Sequence, residues 1–397
     1  MAWVDERLPI TEVIKSQAIE YPTPKNLNYW WNFGSLALMV LIIQLVSGIF
    51  LAMHYKPDAK LAFDAVEHIM RDVNWGWLLR YMHATGATFF FIAVYIHILR
   101  GMYYGSHRSP REILWWIGVI IFFLLMATAF MGYVLPWGQM SFWGAAVITN
   151  LMSAIPVIGE DLVVWVWGGF SVGDPTLNRF FALHFLLPFV VIGAVGVHVW
   201  ALHAVHSNNP EGIDLEHKDT IPFHPYYTIK DLYGMGVFLI LFCVFVFFAP
   251  NFFLEPDNYI QADPMKTPAH IVPEWYFLPF YAILRSIDFL GQMSKLVGVI
   301  AMGAAIAILF VLPFLDRSPV RSFRYRPISS KLFWIFVVDC FVLGWVGYNP
   351  ADAVVLGSLP IVYVGRAATA VYFSYFFLLW FITVFKIERP LPVPKSL

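Results

Sequence analysis

RYMHATGATFFFIAVYIHILR, residues 80–100, decides the fold. This apolar stretch has a histidine near each end, His83 and His97, fourteen residues apart. HFLLPFVVIGAVGVH, residues 184–198, repeats the spacing with His184 and His198. Fourteen helical residues stop about 40° short of four full turns and rise about 21 Å, so each pair occupies one face of its helix. Two such helices running in the same direction set His83 opposite His184 at one depth and His97 opposite His198 at another. Two stacked bis-histidine sites are what two non-covalent b-type haems require. Bis-histidine ligation leaves no open iron position and so suits electron transfer.

The rest of the chain has the composition of a membrane protein. Of 397 residues, 59% are hydrophobic and 13% charged, about half the charged share of a soluble domain. Eight apolar runs, near 33–53, 78–104, 113–134, 180–204, 232–249, 296–315, 332–348 and 367–385, approach or exceed the roughly 20 residues that span a bilayer core. The expected fold is all-α and integral to the membrane, with eight transmembrane helices. Residues 1–215 form a four-helix di-haem domain. Residues 216–397 form a second four-helix domain with a long loop at 250–290.

A net charge of −1, without a basic cluster interleaved with base-stacking aromatics, gives no footing for nucleic acid. Cys243 and Cys340 stand in no CxxC or CxxCH pattern, so no disulfide framework, zinc site or covalent haem is implied. Residues 1–29 have charges and no apolar core, unlike a signal peptide, and are predicted to form a surface helix. The Pro-broken, apolar loop after the third run is predicted to form short interfacial helices lining a cavity. Trp30, Trp31, Trp75, Trp77, Trp115 and Trp116 sit at run ends and read mostly as lipid-facing anchors.

Loop charge sets the orientation. Arg100, Arg108, Arg111, the arginines from Arg317 to Arg326, Lys386, Arg389 and Lys395 fall on the side of the termini, whereas 135–178 and 349–365 contain no Lys or Arg. The positive-inside rule places both termini on the negative side, cytoplasm or matrix. His83 and His184 then lie near the positive side and His97 and His198 near the negative side.

Glycines repeat the histidine spacing: Gly34 and Gly48 in the first run, Gly118 and Gly132 in the third. A helix approaches a flat macrocycle closely only where it has no side chain. Small-residue helix packing alone is the plainer alternative. Arg80 and Arg100 each stand three residues outside a histidine, placed to pair with a haem propionate or simply to snorkel at a helix end. A di-haem membrane anchor of a dehydrogenase, and a transporter using the histidines as a proton path, remain open on these features alone.

Three motifs narrow this: WWNFGS at 30–35, GYVLPWGQMS at 132–141 and PEWY at 273–276. With them the chain resembles, over about 95% of its length, the cytochrome b family of the respiratory cytochrome bc complex, ubiquinol–cytochrome c oxidoreductase. The resemblance implies axial ligation of a low-potential haem by His83 and His184 and of a high-potential haem by His97 and His198. Arg80 would serve the propionates of the first, and Arg100 and Ser106 those of the second. It implies quinol oxidation by Glu274 and Tyr133 in a pocket lined by Phe130, Gly144, Pro273 and Tyr281. It implies quinone reduction on the other side by His203, Lys230 and Asp231, with Ser207 and Asn32 nearby. The implied partners are a Rieske iron–sulfur subunit, a c-type cytochrome subunit, ubiquinone, membrane lipid and a second copy of the complex. A proteobacterial inner membrane is the expected location, with the mitochondrial inner membrane the alternative.

Overall fold

The computed structural model describes residues 2–355 and 357–397. Eight long helices run Phe33–Ala52, Gly76–Tyr103, Glu112–Val134, Asp174–Val205, Tyr226–Phe248, Ser294–Leu315, Pro327–Tyr348 and Ile361–Val384, here called spans one to eight. Each is long and apolar enough to cross a membrane. Spans four, five, seven and eight begin earlier than hydropathy suggests. Their first two turns hold Asp174 and Arg179, Lys230 and Asp231, Lys331, and Arg366, which lower hydropathy without interrupting helical hydrogen bonding. Pro175 and Pro327 sit in first turns, where a missing N–H costs nothing.

Eight crossings return the chain to the face where it began. There Lys25 N donates to Asp219 O at 3.1 Å and Leu397 N to Asp219 Oδ1 at 2.9 Å, so both terminal segments meet on one buried aspartate. Pro22–Pro24 pairs antiparallel with Thr220–Pro222 on this terminal face. The segment expected to be one surface helix is instead broken into Ala2–Asp5, Ile10–Ile14 and a π turn at Lys15–Ile19, with Pro9 interrupting the first two. On the opposite, loop face the insert after span three forms short helices, Gln139–Asn150 and Gly159–Trp167, as expected.

Spans one and two pack together, as do three and four. Span five joins span two through Phe89, whose ring lies 5.3 Å from those of Phe238 and Phe242. Span three joins span six through a proline. Pro313 has no N–H for the carbonyl of Leu309, and the Trp115 indole N–H takes that carbonyl at 2.7 Å. Trp116 donates likewise to Phe310 O at 2.8 Å. Trp31 lies against Tyr104 and under Arg100. Three of the six tryptophans assigned to the lipid belt thus face protein, because each indole meets a group there that lipid could not supply. Trp30, Trp75 and Trp77 are exposed.

The terminal face is closed by buried charge. Arg326 donates to Asp316 Oδ2 at 2.6 Å and to Glu388 Oε2 at 3.1 Å. Glu388 Oε1 also accepts from the amides of Ile328 and Ser329 at 2.7 and 2.8 Å. It therefore caps the start of span seven, where four N–H groups lack helical partners. Burial alone would raise the Asp316 carboxyl, but the Arg326 and Arg108 charges outweigh it and hold it below its usual range. Burial pushes neighbouring His107 down to about 4, so it stays neutral 3.9 Å from Asp316.

Glu388→Ala leaves Arg326 one buried partner short and strips the cap. We expect a loss of about 3 kcal/mol, read as a lower thermal midpoint of the purified protein with helix content unchanged by circular dichroism. An unchanged midpoint would mean that the cluster's desolvation cost cancels its attraction.

Candidate haem and quinone sites

The four histidines form two pairs at two depths. His83 and His184 have ring centroids 6.1 Å apart, and His97 and His198 6.3 Å apart. Two metal–nitrogen bonds of about 2 Å plus two ring radii of about 1.1 Å put coaxial imidazoles about 6.2 Å apart. The rings therefore stand at the separation that one iron between them requires.

Each ring is seated against one of the four spaced glycines. A Cβ on Gly48 would lie 3.1 Å from His83 Cε1, on Gly34 3.2 Å from His97, on Gly118 3.2 Å from His198, and on Gly132 2.4 Å from His184. The glycines were expected to admit a macrocycle. In the structure they also admit the imidazole edge, letting span one close on span two and span three on span four.

The outer nitrogens are fixed too. His83 Nδ1 lies 3.0 Å from Ser47 Oγ, whose own proton goes to Ile43 O, and His184 Nδ1 lies 2.8 Å from Thr128 O. These partners hold the ring proton on Nδ1 and leave Nε2 free as the ligating atom. Pro188, four residues after His184, leaves the His184 carbonyl without its helical donor. At the other depth Arg100 donates to His97 Nδ1 at 3.1 Å and to Ser106 Oγ at 3.2 Å, and Asn208 donates to Ser106 at 3.3 Å. A ring ligating through Nε2 carries a proton on Nδ1 and cannot accept there. Arg100 must then turn to another acceptor, which suits a propionate. His198 Nδ1 is buried and, among the described residues, makes no well-formed hydrogen bond.

A cavity of 460 Å3 opens beside His83 and His184, lined by Gly48, Gly132, Arg80, Glu255, Tyr133 and Glu274 among others. Arg80 makes no ion pair among the described residues, so its charge is available to an anionic group in the cavity. A smaller pocket of 30 Å3 lies alongside. The six residues expected at quinol oxidation, Phe130, Tyr133, Gly144, Pro273, Glu274 and Tyr281, all line it. Tyr133 and Glu274 belong to both linings.

The Pro273–Tyr276 turn is held by its second half. Trp275 Nε1 donates to Thr88 at 3.2 Å, Tyr276 stacks on Phe91 at 3.9 Å, and Tyr95 donates to Tyr276 O at 2.5 Å. Trp275 and Tyr276 are thereby committed to span two, and Pro273 and Glu274 face the pocket. The 132–141 motif is sewn to the same loop: Gln139 N donates to Ile260 O and Ser141 N to Asn258 Oδ1, both at 2.9 Å. Gly138 is required there because a Cβ would meet the Asn258 carbonyl at 2.2 Å. Burial and the negative charge of Glu255 push the Glu274 carboxyl up to about 8, against the pull of Arg80.

The residues expected at quinone reduction are less converged. His203 Nδ1 lies 2.7 Å from Gln17 Oε1, and its ring stacks on Tyr21 at 4.2 Å. The Lys230 ammonium donates to Leu27 O at 2.5 Å within a cage of Tyr29, Tyr226 and Tyr227, and Asn32 donates to Lys230 O at 3.2 Å. Ser207 donates to Asn208 O, and no ion pair joins Asp231 to Lys230 or His203 among the described residues. The segment 17–32 is what His203 and Lys230 share. Gln17, Tyr21 and Leu27 lack the composition of a site and escaped sequence reasoning, as did Ser47 and the Thr128 carbonyl. Ser47 had one signal, its place beside Gly48.

Known proteins settle the class. Residues 18–206 match the family model Cytochrome b/b6/petB and residues 261–373 the model Cytochrome b(C-terminal)/b6/petD. Cytochrome b of Rhodospirillum rubrum is 58% identical, covering 100% of this chain and 95% of that one. The chain belongs to the cytochrome b family. Cytochrome b of Rickettsia prowazekii is also 58% identical, over 100% of this chain and 96% of its own. A solved hyperthermophilic respiratory complex III contains a chain that superposes with a TM-score of 0.89 at 39% identity, covering 97% of this chain and 98% of that one. The chain is thus a multi-pass membrane subunit of quinol–cytochrome c reductase, with two b haems and quinone as substrate. That excludes the dehydrogenase anchor and the transporter.

Ligand replacement tests the pairing by depth. His83→Leu and His184→Leu should remove one spectral component, and His97→Leu and His198→Leu the other, in reduced-minus-oxidised spectra of membranes. Gly132→Ala should remove the His83/His184 component as well, because its methyl would overlap the His184 ring. Retention of both components with normal midpoints in Gly132→Ala would sink this account of the glycines.

Proposed function

We propose that quinol is oxidised in the small loop-face pocket, with Glu274 as proton acceptor and Tyr133 as the neighbouring wall. The observation that carries this reading is that Glu274 and Tyr133 line both the pocket and the larger cavity. A carboxyl in that wall can take a proton from a quinol hydroxyl on one side and give it up on the other. The cavity's rim includes Glu67 and Arg71, whose side chains reach solvent, so a proton passed there has an outlet. A pKa of about 8 suits the exchange, since a general base works best when it titrates near the working pH.

The haems, when bound, supply one-electron redox centres at the two histidine depths. His83 and His184 would hold the low-potential haem with Arg80 beside its propionates. His97 and His198 would hold the high-potential haem with Arg100 and Ser106. Cys243 and Cys340 cannot make an iron–sulfur cluster, so the other electron of quinol leaves through a Rieske iron–sulfur subunit and a c-type cytochrome subunit. On the terminal face His203, Lys230 and Asp231, with Ser207 and Asn32, deliver protons to quinone. The loop charges support a terminal face on the negative side of the membrane; the membrane would be a bacterial inner membrane and the complex a homodimer.

Glu274→Gln keeps the shape of the side chain but not its basicity. Quinol oxidation should slow by roughly a hundredfold while both haem spectra stay normal. The sign of the pH effect follows from the raised value. Glu274 is mostly protonated at pH 7 and becomes a base above about 8, so the wild-type rate rises through that range and the variant's does not. Wild-type turnover across the whole range would make Glu274 a structural loop residue.

Asp231→Leu should slow re-oxidation of the His97/His198 haem, measured by stopped flow with loop-face quinol oxidation inhibited. Unchanged re-oxidation would remove Asp231 from the site.

A further inference from the structure

Arg285 ends the short helix Leu278–Arg285, and the quinol-pocket reading gives it no role. Its guanidinium reaches into the end of span seven. Nη1 and Nη2 both donate to Asn349 O at 3.0 Å, and Nη2 donates to Val346 O at 2.7 Å. The last carbonyls of a helix lack partners, and the negative end of the helix dipole favours a cation. The planar guanidinium serves two of these carbonyls at once, a geometry that an ammonium cannot reproduce.

The same guanidinium lies over Tyr281, 4.9 Å from the ring centre. Tyr281 lines the quinol pocket. Contact at the start of the short helix is equally close: a Cβ on Gly347 would lie 2.3 Å from Leu278 O. The stretch 273–285 therefore has two supports. Trp275 and Tyr276 fix one end to span two, and Arg285 fixes the other to span seven, with Tyr281 between them.

We propose that Arg285 is a positioning residue for quinol oxidation, holding Tyr281 and its helix at a fixed distance from Glu274 by clamping them to the end of span seven. The proposal rests on the quinol-pocket reading above. A shift of about 1 Å in a positioning group can cost up to a hundredfold in rate. Arg285→Met loses every donor and the cation over Tyr281 but retains an apolar stem.

The test is steady-state quinol–cytochrome c reduction by the purified complex, normalised to haem content, for Arg285→Met, Tyr281→Ala and the double variant. We expect kcat/KM to fall roughly tenfold in Arg285→Met, with both haem spectra intact. If Arg285 acts through Tyr281, the double variant should be no slower than Tyr281→Ala alone. Wild-type kinetics in Arg285→Met, or fully additive losses in the double variant, would overturn the proposal. Should Arg285→Met fail to retain haem, Arg285→Lys is read instead. It keeps the charge but replaces the planar fork with a point donor, so reduced kcat/KM supports the clamp and a wild-type value overturns it. Wild-type turnover in both Tyr281→Ala and Glu274→Gln would show that the pocket reading itself had failed, taking the proposal with it. Loss in those two with wild-type Arg285→Met would refute the clamp alone.

Discussion

An imidazole edge pressed against bare backbone is the contact on which the centre of this protein depends. Four histidines meet four glycines, and the meeting sets three things together. It brings span one onto span two and span three onto span four. It fixes where along each helix the ring projects. It also turns Nε2 inward, because Ser47 and the Thr128 carbonyl occupy the other nitrogen of the loop-face pair. The two rings of each pair then stand about 6 Å apart. Interiors packed to crystal density pass small changes on rather than absorb them, so a single methyl at Gly132 acts on the ligand and not merely on the helix.

The loop face divides its labour by residue type. Aromatic groups of the Pro273–Tyr276 turn are anchors, spent on Thr88, Phe91 and the carbonyl that Tyr95 caps. The residues with reactive or small surfaces are left to face the pocket. The 132–141 segment is stitched to the same long loop through Gln139, Ser141 and Asn258. Two chain segments more than a hundred residues apart thus form one wall, and Tyr133 and Glu274 are the members of it that touch both compartments. A carboxyl whose charge is discouraged by burial and by Glu255 belongs in such a wall, since neither protonation state is strongly favoured there.

Periodicity and hydropathy exposed most of the fold. The eight spans, the short interfacial helices and the two histidine depths follow from composition and from a fourteen-residue interval that survives helical geometry. The glycine interval was visible as well, although what touches those glycines was not, because a spacing names a face and not its neighbour. Sequence failed where a partner lies far along the chain. Trp115 reads as a lipid anchor until Pro313 is found opposite it with an orphaned carbonyl. Lys230 reads as a quinone-site residue from its own charge, but the groups that hold its ammonium, Leu27 O and the ring of Tyr29, lie some two hundred residues away. Gln17, Glu388 and Arg285 have no local signature at all, since each acts on backbone or side chains from another part of the chain.

Glu388 also says something about time. Span seven begins at Pro327, and the carboxylate that caps its first turn is made some sixty residues later, after span eight is complete. Synthesis runs from the N-terminus, so span seven is laid down with its leading amides open and Arg326 neutralised by Asp316 alone. Asp219 waits longer still for the amide of Leu397. The terminal face is therefore sealed by residues that follow span eight, Glu388 and Leu397, and it closes only after the helices it covers have been made.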